Sequence, residues 1–338
     1  ATAGALVGTF GTGFVLVPLV PVTAAVLGIG VALALAGVLL GVRARRLAGA
    51  AAAGAVLGTI ALSGLTLAVE TPCDRETDYH CARVDVDPAR PSGRTLLLDD
   101  LRHSYIDLDD PTHLEFPYTQ WIADAIDATA QARAPLDVVF VGGGGFTLPR
   151  WLAATRPDSR ARVLEVDGDL VELVRERLDL RDSPDLEVVV GDARMTLREQ
   201  PTDSADVIVG DAFGTYAVPW HLATTEWAEE VRRVLRPGGL YALNVIDFQP
   251  LELLRAEAAT LLDVFADVRL ITLPGADLRP FGGNGLLLAS DRRLPAGAAS
   301  DAEGGTTYRR VEVVRFAGDA EPLRDDFAPA DQLLTDSP

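Results

Sequence analysis

Four consecutive glycines, Gly142-Gly143-Gly144-Gly145, follow the continuous apolar run Leu136 to Val141. Lacking side chains, they let the chain turn sharply and lay backbone N–H groups against a ligand. Twenty residues beyond Gly145, Glu165 closes a second apolar run, at the position where a carboxylate takes both hydroxyls of a ribose. Two further runs end in Gly191-Asp192-Ala193 and Gly210-Asp211-Ala212. Any one Asp at such an end reads as an ordinary turn residue. Four successive run ends carrying glycine or an acid read as the rim of a pocket. Shortly after Asp211 come Trp220 and His221, within Val218-Pro219-Trp220-His221-Leu222, on what reads as a lid. His221 either shuttles a proton near an acid or caps the helix beginning there, and Glu226 falls inside that helix.

Those residues need a frame that aligns strand ends. Strands are expected at Leu136 to Val141, Ala161 to Val166, Leu186 to Val190, Ala205 to Gly210 and Leu240 to Ile246. Helical stretches alternate with them, beginning with Glu115 to Gln131 and Leu148 to Ala154. That rhythm predicts an α/β fold with a doubly wound parallel sheet, whose ligands lie at the carboxyl ends of the strands. Later runs at Val268 to Thr272 and Gly285 to Ala289 would close the sheet edge. Before this core, Ala82 to Val86 and Arg94 to Leu98 are β-prone and separated by the turn-rich Pro88 to Gly93. The expected organisation is a transmembrane region over 1–69, a small β region over 70–114, a Rossmann-like nucleoside-binding catalytic domain over 115–299 and an acidic tail over 300–338.

The membrane region follows from composition. The 338 residues are 48% hydrophobic and carry a net charge of −19, yet mean hydropathy is +0.18. Residues 1–69 hold no Asp or Glu and three basic residues, Arg43, Arg45 and Arg46, so the negative charge belongs entirely to the remainder. Three apolar spans are expected, Ala5 to Val22, Thr23 to Val42 and Leu47 to Val69, each near the ~20 residues that cross a bilayer. The first does not read as a cleaved signal peptide, because no charged segment precedes it and further spans follow. With Ala1 first and Met195 the only methionine, the expectation is a chain processed or cut from a longer one. The basic loop Arg43 to Arg46 belongs on the cytoplasmic side, which sends the third span and all that follows to the outer face. Cys73 and Cys81, the only cysteines, either pair as a disulfide, which suits an oxidising compartment, or stay as thiols, or join His80 on a metal. The chain has no lysine, which excludes Schiff-base chemistry and a Walker-type phosphate loop. Its acidity argues against a nucleic-acid partner and for cationic ligands.

In order along the chain, these segments resemble the spermidine synthase family, the polyamine aminopropyltransferases on the class I methyltransferase-like fold. Val139-Phe140-Val141-Gly142-Gly143-Gly144-Gly145 is similar to its glycine motif, Leu164-Glu165-Val166-Asp167 to its ribose segment and Gly191-Asp192-Ala193 to its adenine segment. Asp206 to Asp211 is similar to the strand leading to its catalytic aspartate. Glu115-Phe116-Pro117-Tyr118 resembles the helix that brings a tyrosine to the substrate, and Glu76-Thr77-Tyr79 with Leu98-Asp99-Asp100 resembles its β region. Apolar spans fused to such a domain, with Asp325-Asp326-Phe327-Ala328-Pro329 near the end, look like the membrane-fused bacterial branch.

The resemblance implies transfer of an aminopropyl group from decarboxylated S-adenosylmethionine to a putrescine-like amine, releasing methylthioadenosine without a metal. Asp211 would be the base, Tyr118 would orient the amine, Glu165 would hold the ribose, and Asp192 with Ala193 the adenine. The glycines would lie along the aminopropyl arm, and the β region would mediate a homodimer. Three departures stand out: Gly145 and Gly214 occupy places where the family carries acids, and Thr119-Gln120 replaces a polar pair. Nucleoside positions are kept while diamine positions are largely lost. Two other readings therefore stand beside the first: a methyltransferase using S-adenosylmethionine itself, and a non-catalytic polyamine- or nucleoside-binding module on a membrane domain. The implied co-substrate is made in the cytosol, which conflicts with an external domain.

Overall fold

The computed structural model describes residues 2–16, 22–43, 58, 73–99, 101–129, 134–214, 216–273, 283–295 and 305–334. The chain divides into two compact units, Ala1–Arg83 and Val84–Pro338.

In the first unit, α1 (Thr2–Gly11) runs into a π-helical turn over Thr12–Leu16, and α2 spans Val22–Arg43. The segment Ala24–Gly41 of α2 is long and apolar enough to cross a bilayer, and none of it is buried in the protein. Leu33, Leu39 and Leu40 are all exposed, so apolar surface runs around the helix instead of along one face. Among the described residues it is the one helix that passes this test. The first expected span is described over 5–16 and at Val22, and the third only at Gly58; among the described residues one candidate crossing helix stands where three were expected. The unit closes in a hairpin, with β1 (Arg75–Glu76) antiparallel to β2 (Cys81–Val86). Thr77 shapes the turn, its Oγ1 accepting from the N–H of Tyr79 at 3.1 Å and of His80 at 2.8 Å. Cys73 and Cys81 thereby approach to 5.2 Å between Cα atoms and form a disulfide, which settles the three fates open in the sequence.

The second unit opens with an antiparallel pair, β3 (Gly93–Leu98) and β4 (Leu101–Asp107). Arg90 binds Asp107 at 2.8 Å and the Tyr105 hydroxyl donates to Asp87 at 2.8 Å, which pins the turn expected at Pro88 to Gly93. Next comes α3 (Pro117–Thr129), whose Trp121, Ile122, Ala125 and Ile126 recur at helical spacing and are buried.

The core then alternates β5 (Asp137–Val141), α4 (Thr147–Thr155), β6 (Arg160–Glu165), α5 (Gly168–Arg177), β7 (Leu186–Val190), α6 (Ala193–Arg198) and β8 (Ala205–Gly210). After a 3-10 turn at Trp220–Leu222 follow α7 (Thr225–Val234), β9 (Leu235–Asp247), α8 (Glu252–Val264), β10 (Asp267–Thr272) and β11 (Gly283–Ser290). Strands β9, β8, β5, β6 and β7 lie side by side and parallel. Val138 to Val141 are buried along their whole length, because helices cover both faces of a parallel sheet. β11 joins β9 antiparallel, and β10 pairs with β11, as the late apolar runs predict.

Residues 305–334, within the acidic stretch, form more regular structure than their composition suggests. β12 (Thr306–Tyr308) adds an eighth strand beside β10, and α9 (Arg310–Ala317) and α10 (Ala330–Leu333) follow. Val313, Leu323 and Ala330 enter the main hydrophobic core.

Candidate active site

The glycine segment leaves the carboxyl end of β5, beside Asp211, which directly follows neighbouring β8. Gly142 has φ +93°, and a Cβ there would stand 2.4 Å from the Asp211 carbonyl oxygen, so only glycine allows the two strand ends to meet this closely. Glu165, at the end of β6, is buried and turned toward the same loop. Its Oε2 accepts from the N–H of Gly143 at 2.7 Å and Gly144 at 3.4 Å, and its Oε1 from the N–H of Asp167 at 3.0 Å. An ionised carboxylate offers about four acceptor positions. Glu165 thus shapes the loop and keeps room for a further donor.

Asp211 lies in a small cleft lined by His103, Ser104, Tyr118, Thr119, Gly143 and Gly144, among others. Tyr118, in the first turn of α3, donates its hydroxyl to Asp211 Oδ2 at 3.2 Å, and Asn244 of β9 donates its side-chain amide to Oδ1 at 2.8 Å. Burial pushes the Asp211 carboxyl up to about 6, against the pull of these two donors. The Tyr118 hydroxyl is driven well above its usual value by burial first and by the Asp211 charge second. The base expected at the end of the fourth strand and the tyrosine expected from the preceding helix therefore meet. Asn244 was not foreseen; a lone amide inside the apolar run Leu240 to Ile246 was the signal available.

Asp192 lies apart from this pair. It caps α6, its Oδ1 accepting from the N–H of Arg194 at 2.8 Å, and places Ala193 first in the helix. His221 stands against Asp192, with Nε2 to Oδ2 at 3.4 Å, and not against Asp211. Nor does it cap the helix after it: Thr224 caps α7, its hydroxyl accepting from the N–H of Trp227. Val190, paired with Glu165 across β6 and β7, is exposed beside these ends, as are Val166 and Met195. The Arg194 guanidinium donates to the His221 carbonyl at 2.6 Å and the Thr224 hydroxyl at 3.1 Å, and pairs with Asp325 at 2.5 Å. Asp325 also accepts from Thr224 at 2.8 Å, and its N–H donates to Glu226 at 3.0 Å. The late segment is thus strapped across the Asp192 side of the site.

This arrangement matches a known architecture over much of the chain. A probable spermidine synthase from Corynebacterium glutamicum superposes with a TM-score of 0.69 at 29% identity, covering 77% of this chain and 99% of that one. The chain is similar to the spermidine synthase family. Its fold is the class I methyltransferase-like Rossmann type that this family uses. No protein-family model matches the chain. Among relatives by sequence, a polyamine aminopropyltransferase of Vibrio vulnificus is 27% identical over 163 residues, 48% of this chain and 52% of its own length. Polyamine aminopropyltransferase 2 of Pseudomonas aeruginosa is 31% identical over 168 residues, 46% of this chain and 47% of its own. The chain thus matches about half the length of each.

The departures from the spermidine synthase pattern differ in kind. At Gly145 a Cβ would lie 2.4 Å from Ile106 Cδ1 and 2.9 Å from Ser104 Cβ, and the Gly145 N–H donates to the Ser104 hydroxyl at 3.0 Å. β4 therefore fills the space an acid at 145 would need. Gly214 is exposed, with only the Ala217 carbonyl near its Cβ direction, at 3.8 Å, so a side chain has room there. Thr119 and Gln120 both turn back on their own chain, donating to the carbonyls of Phe116 at 2.7 Å and Leu114 at 2.6 Å.

Proposed function

We propose that this chain is an aminopropyltransferase that moves an aminopropyl group from decarboxylated S-adenosylmethionine to a small amine and releases methylthioadenosine. The carrying observation is Asp211, a half-buried carboxylate whose desolvation raises its pKa to about 6, gripped by Tyr118 and Asn244 at the glycine-loop end of the sheet.

The chemistry follows from that group. An ammonium has no lone pair, so the acceptor must first lose a proton, and a carboxylate raised toward neutrality takes it more readily than an ordinary Asp. Asp211 accepts that proton. The freed nitrogen attacks the carbon beside the sulfonium in line, a C–N bond forms as the C–S bond breaks, and neutral methylthioadenosine leaves. Tyr118 orients the incoming amine through its hydroxyl. Glu165 accepts from the ribose hydroxyls while holding Gly143 and Gly144 in place. Asp192 receives the adenine amino group, with Ala193 and the exposed Val166 and Val190 against the base. Gly142 to Gly145 run along the transferred arm.

The filled space at Gly145 favours a second reading, transfer of a methyl group from S-adenosylmethionine itself, since no acid stands there to repel the amino-acid carboxylate. One assay separates the readings: mass spectrometry of products after each co-substrate is incubated separately with a panel of amines. Methylthioadenosine with an amine enlarged by an aminopropyl group is the expected result. Adenosylhomocysteine would replace the first reading by the second, and nucleoside binding with no product would reduce the chain to a binding module.

We further infer that α2 and its neighbouring apolar segments anchor the protein in a membrane as several spans, with the Cys73–Cys81 disulfide on the oxidising, outer face and a homodimer formed through the β region. A reporter fused after residue 338 that is active only in the cytosol would reject the outer placement.

A further inference from the structure

Asn244 is 1% exposed and sits in β9 between buried Leu243 and Val245. A buried amide in such a strand is costly unless its donor and acceptor are both satisfied. Both are satisfied in one direction. Its nitrogen donates to Asp211 Oδ1 at 2.8 Å, and its oxygen accepts from the side-chain amide of Asn284 in β11 at 3.0 Å. The register explains the meeting: Asn244 lies opposite Leu286 and Asn284 opposite Ile246, so the two amides are diagonal neighbours on one face of the sheet. A carboxylate only accepts, so an ionised Asp211 requires the nitrogen of Asn244 to face it, and the donor on Asn284 enforces the same orientation.

We propose that Asn284 is a positioning residue, which acts through Asn244 as a polarised two-amide relay to hold Asp211 ionised and aimed for proton abstraction. The relay rests on the reading of Asp211 as the proton acceptor. The other groups facing Asp211 are Tyr118 from α3, which donates to Oδ2, and His103 of β4, which lines the same cleft. From β9 and β11 the structure brings the two uncharged amides. Burial raises the Asp211 carboxyl, and the Asn244 donor is the first force lowering it again. Weakening the relay must therefore move the titration upward.

Isosteric replacement tests the polarity. Asn284→Asp keeps the shape but presents an acceptor to the Asn244 oxygen. The Asn244 amide must then turn over and show its carbonyl to Asp211. Asn284→Ala removes the partner without reversing the dipole, and Asn284→Ser keeps a donor. The Asp211 midpoint is read in the full chain by carbon-13 carboxyl NMR, its signal identified by loss in Asp211→Asn, alongside the pH dependence of kcat/KM. The expected order is wild type and Asn284→Ser lowest, Asn284→Ala higher by about one pH unit, a tenfold change in proton affinity, and Asn284→Asp highest. An unmoved carboxyl midpoint, or a larger shift for Ala than for the isosteric Asp, overturns the relay. A carboxyl midpoint that moves in the expected order while the acid limb of kcat/KM stays fixed upholds the relay and removes Asp211 from the role of proton acceptor.

Discussion

Replacing Asp211 by Asn should make the protein more stable above neutrality while ending turnover. An unfolded chain protonates this carboxyl near 3.8, and burial raises it to about 6 in the folded protein. Below pH 4 the group is neutral in both states and imposes no difference. As pH rises through the interval from 4 to 6, the unfolded chain releases its proton first, and stability falls. Above 6 the folded protein carries the full cost of the ionised group, about two pH units at roughly 1.4 kcal/mol each, or about 3 kcal/mol. Asn removes that cost at little loss of contact: its carbonyl still accepts from Asn244, and its amide faces the Tyr118 oxygen. For a domain of this size 1 kcal/mol moves the melting temperature by about 2 °C, so the variant should melt about 6 °C higher at pH 8 and level with wild type at pH 4. Trp121, Trp151, Trp220 and Trp227, the four tryptophans, all lie in the second unit, so tryptophan fluorescence of the full chain in detergent reports on that unit alone. A difference that stays constant from pH 4 to 8, or an Asn variant less stable at pH 8, would refute the argument.

Two more outcomes follow. Gly145→Ala drives a methyl into Ile106 and should cost about 1–3 kcal/mol; Ile106→Val, which trims the obstructing carbon, should cost about 1 kcal/mol alone and recover about as much in the double variant, so strictly additive melting data would reject the steric account. Asp325→Asn releases Arg194 from its ion pair and should weaken methylthioadenosine binding in calorimetry while the Asp211 titration stays in place; unchanged affinity would show that the strap does not support the nucleoside side.

The strand ends were legible in the sequence because buried parallel strands are continuous apolar runs, and a glycine or acid after such a run is conspicuous. Leu186–Val190 and Ala205–Gly210 fall where the pattern puts them. What remained hidden depends on contacts across long stretches of chain. Gly145 gives no sign in the sequence that Ser104 and Ile106, some forty residues earlier, occupy its side-chain space. His221 is ten residues from Asp211 in sequence, yet the turn at Trp220–Leu222 carries it to Asp192. Asn244 is one polar residue within a strand whose neighbours announce burial, and its meaning appears only when β11 brings Asn284 alongside. The late residues read as an acidic tail because charge dominates their composition, while the few apolar side chains that dock them, Val313, Leu323 and Ala330, are widely spaced.

The strap at Asp325 sets an order of events during synthesis. Arg194 and Asp325 are 131 residues apart, and Thr224 and Asp325 101, so these contacts close long after the glycine loop and β8 have left the ribosome. Such distant pairings form slowly, because the chain between them must first be ordered. A nascent protein therefore acquires the Tyr118–Asp211 pair before it acquires the support beneath Asp192. Translation halted before Thr306 leaves a product that has the Tyr118–Asp211 pair but lacks the Asp325 strap, and the β10 edge that β12 would cover stays open to another chain.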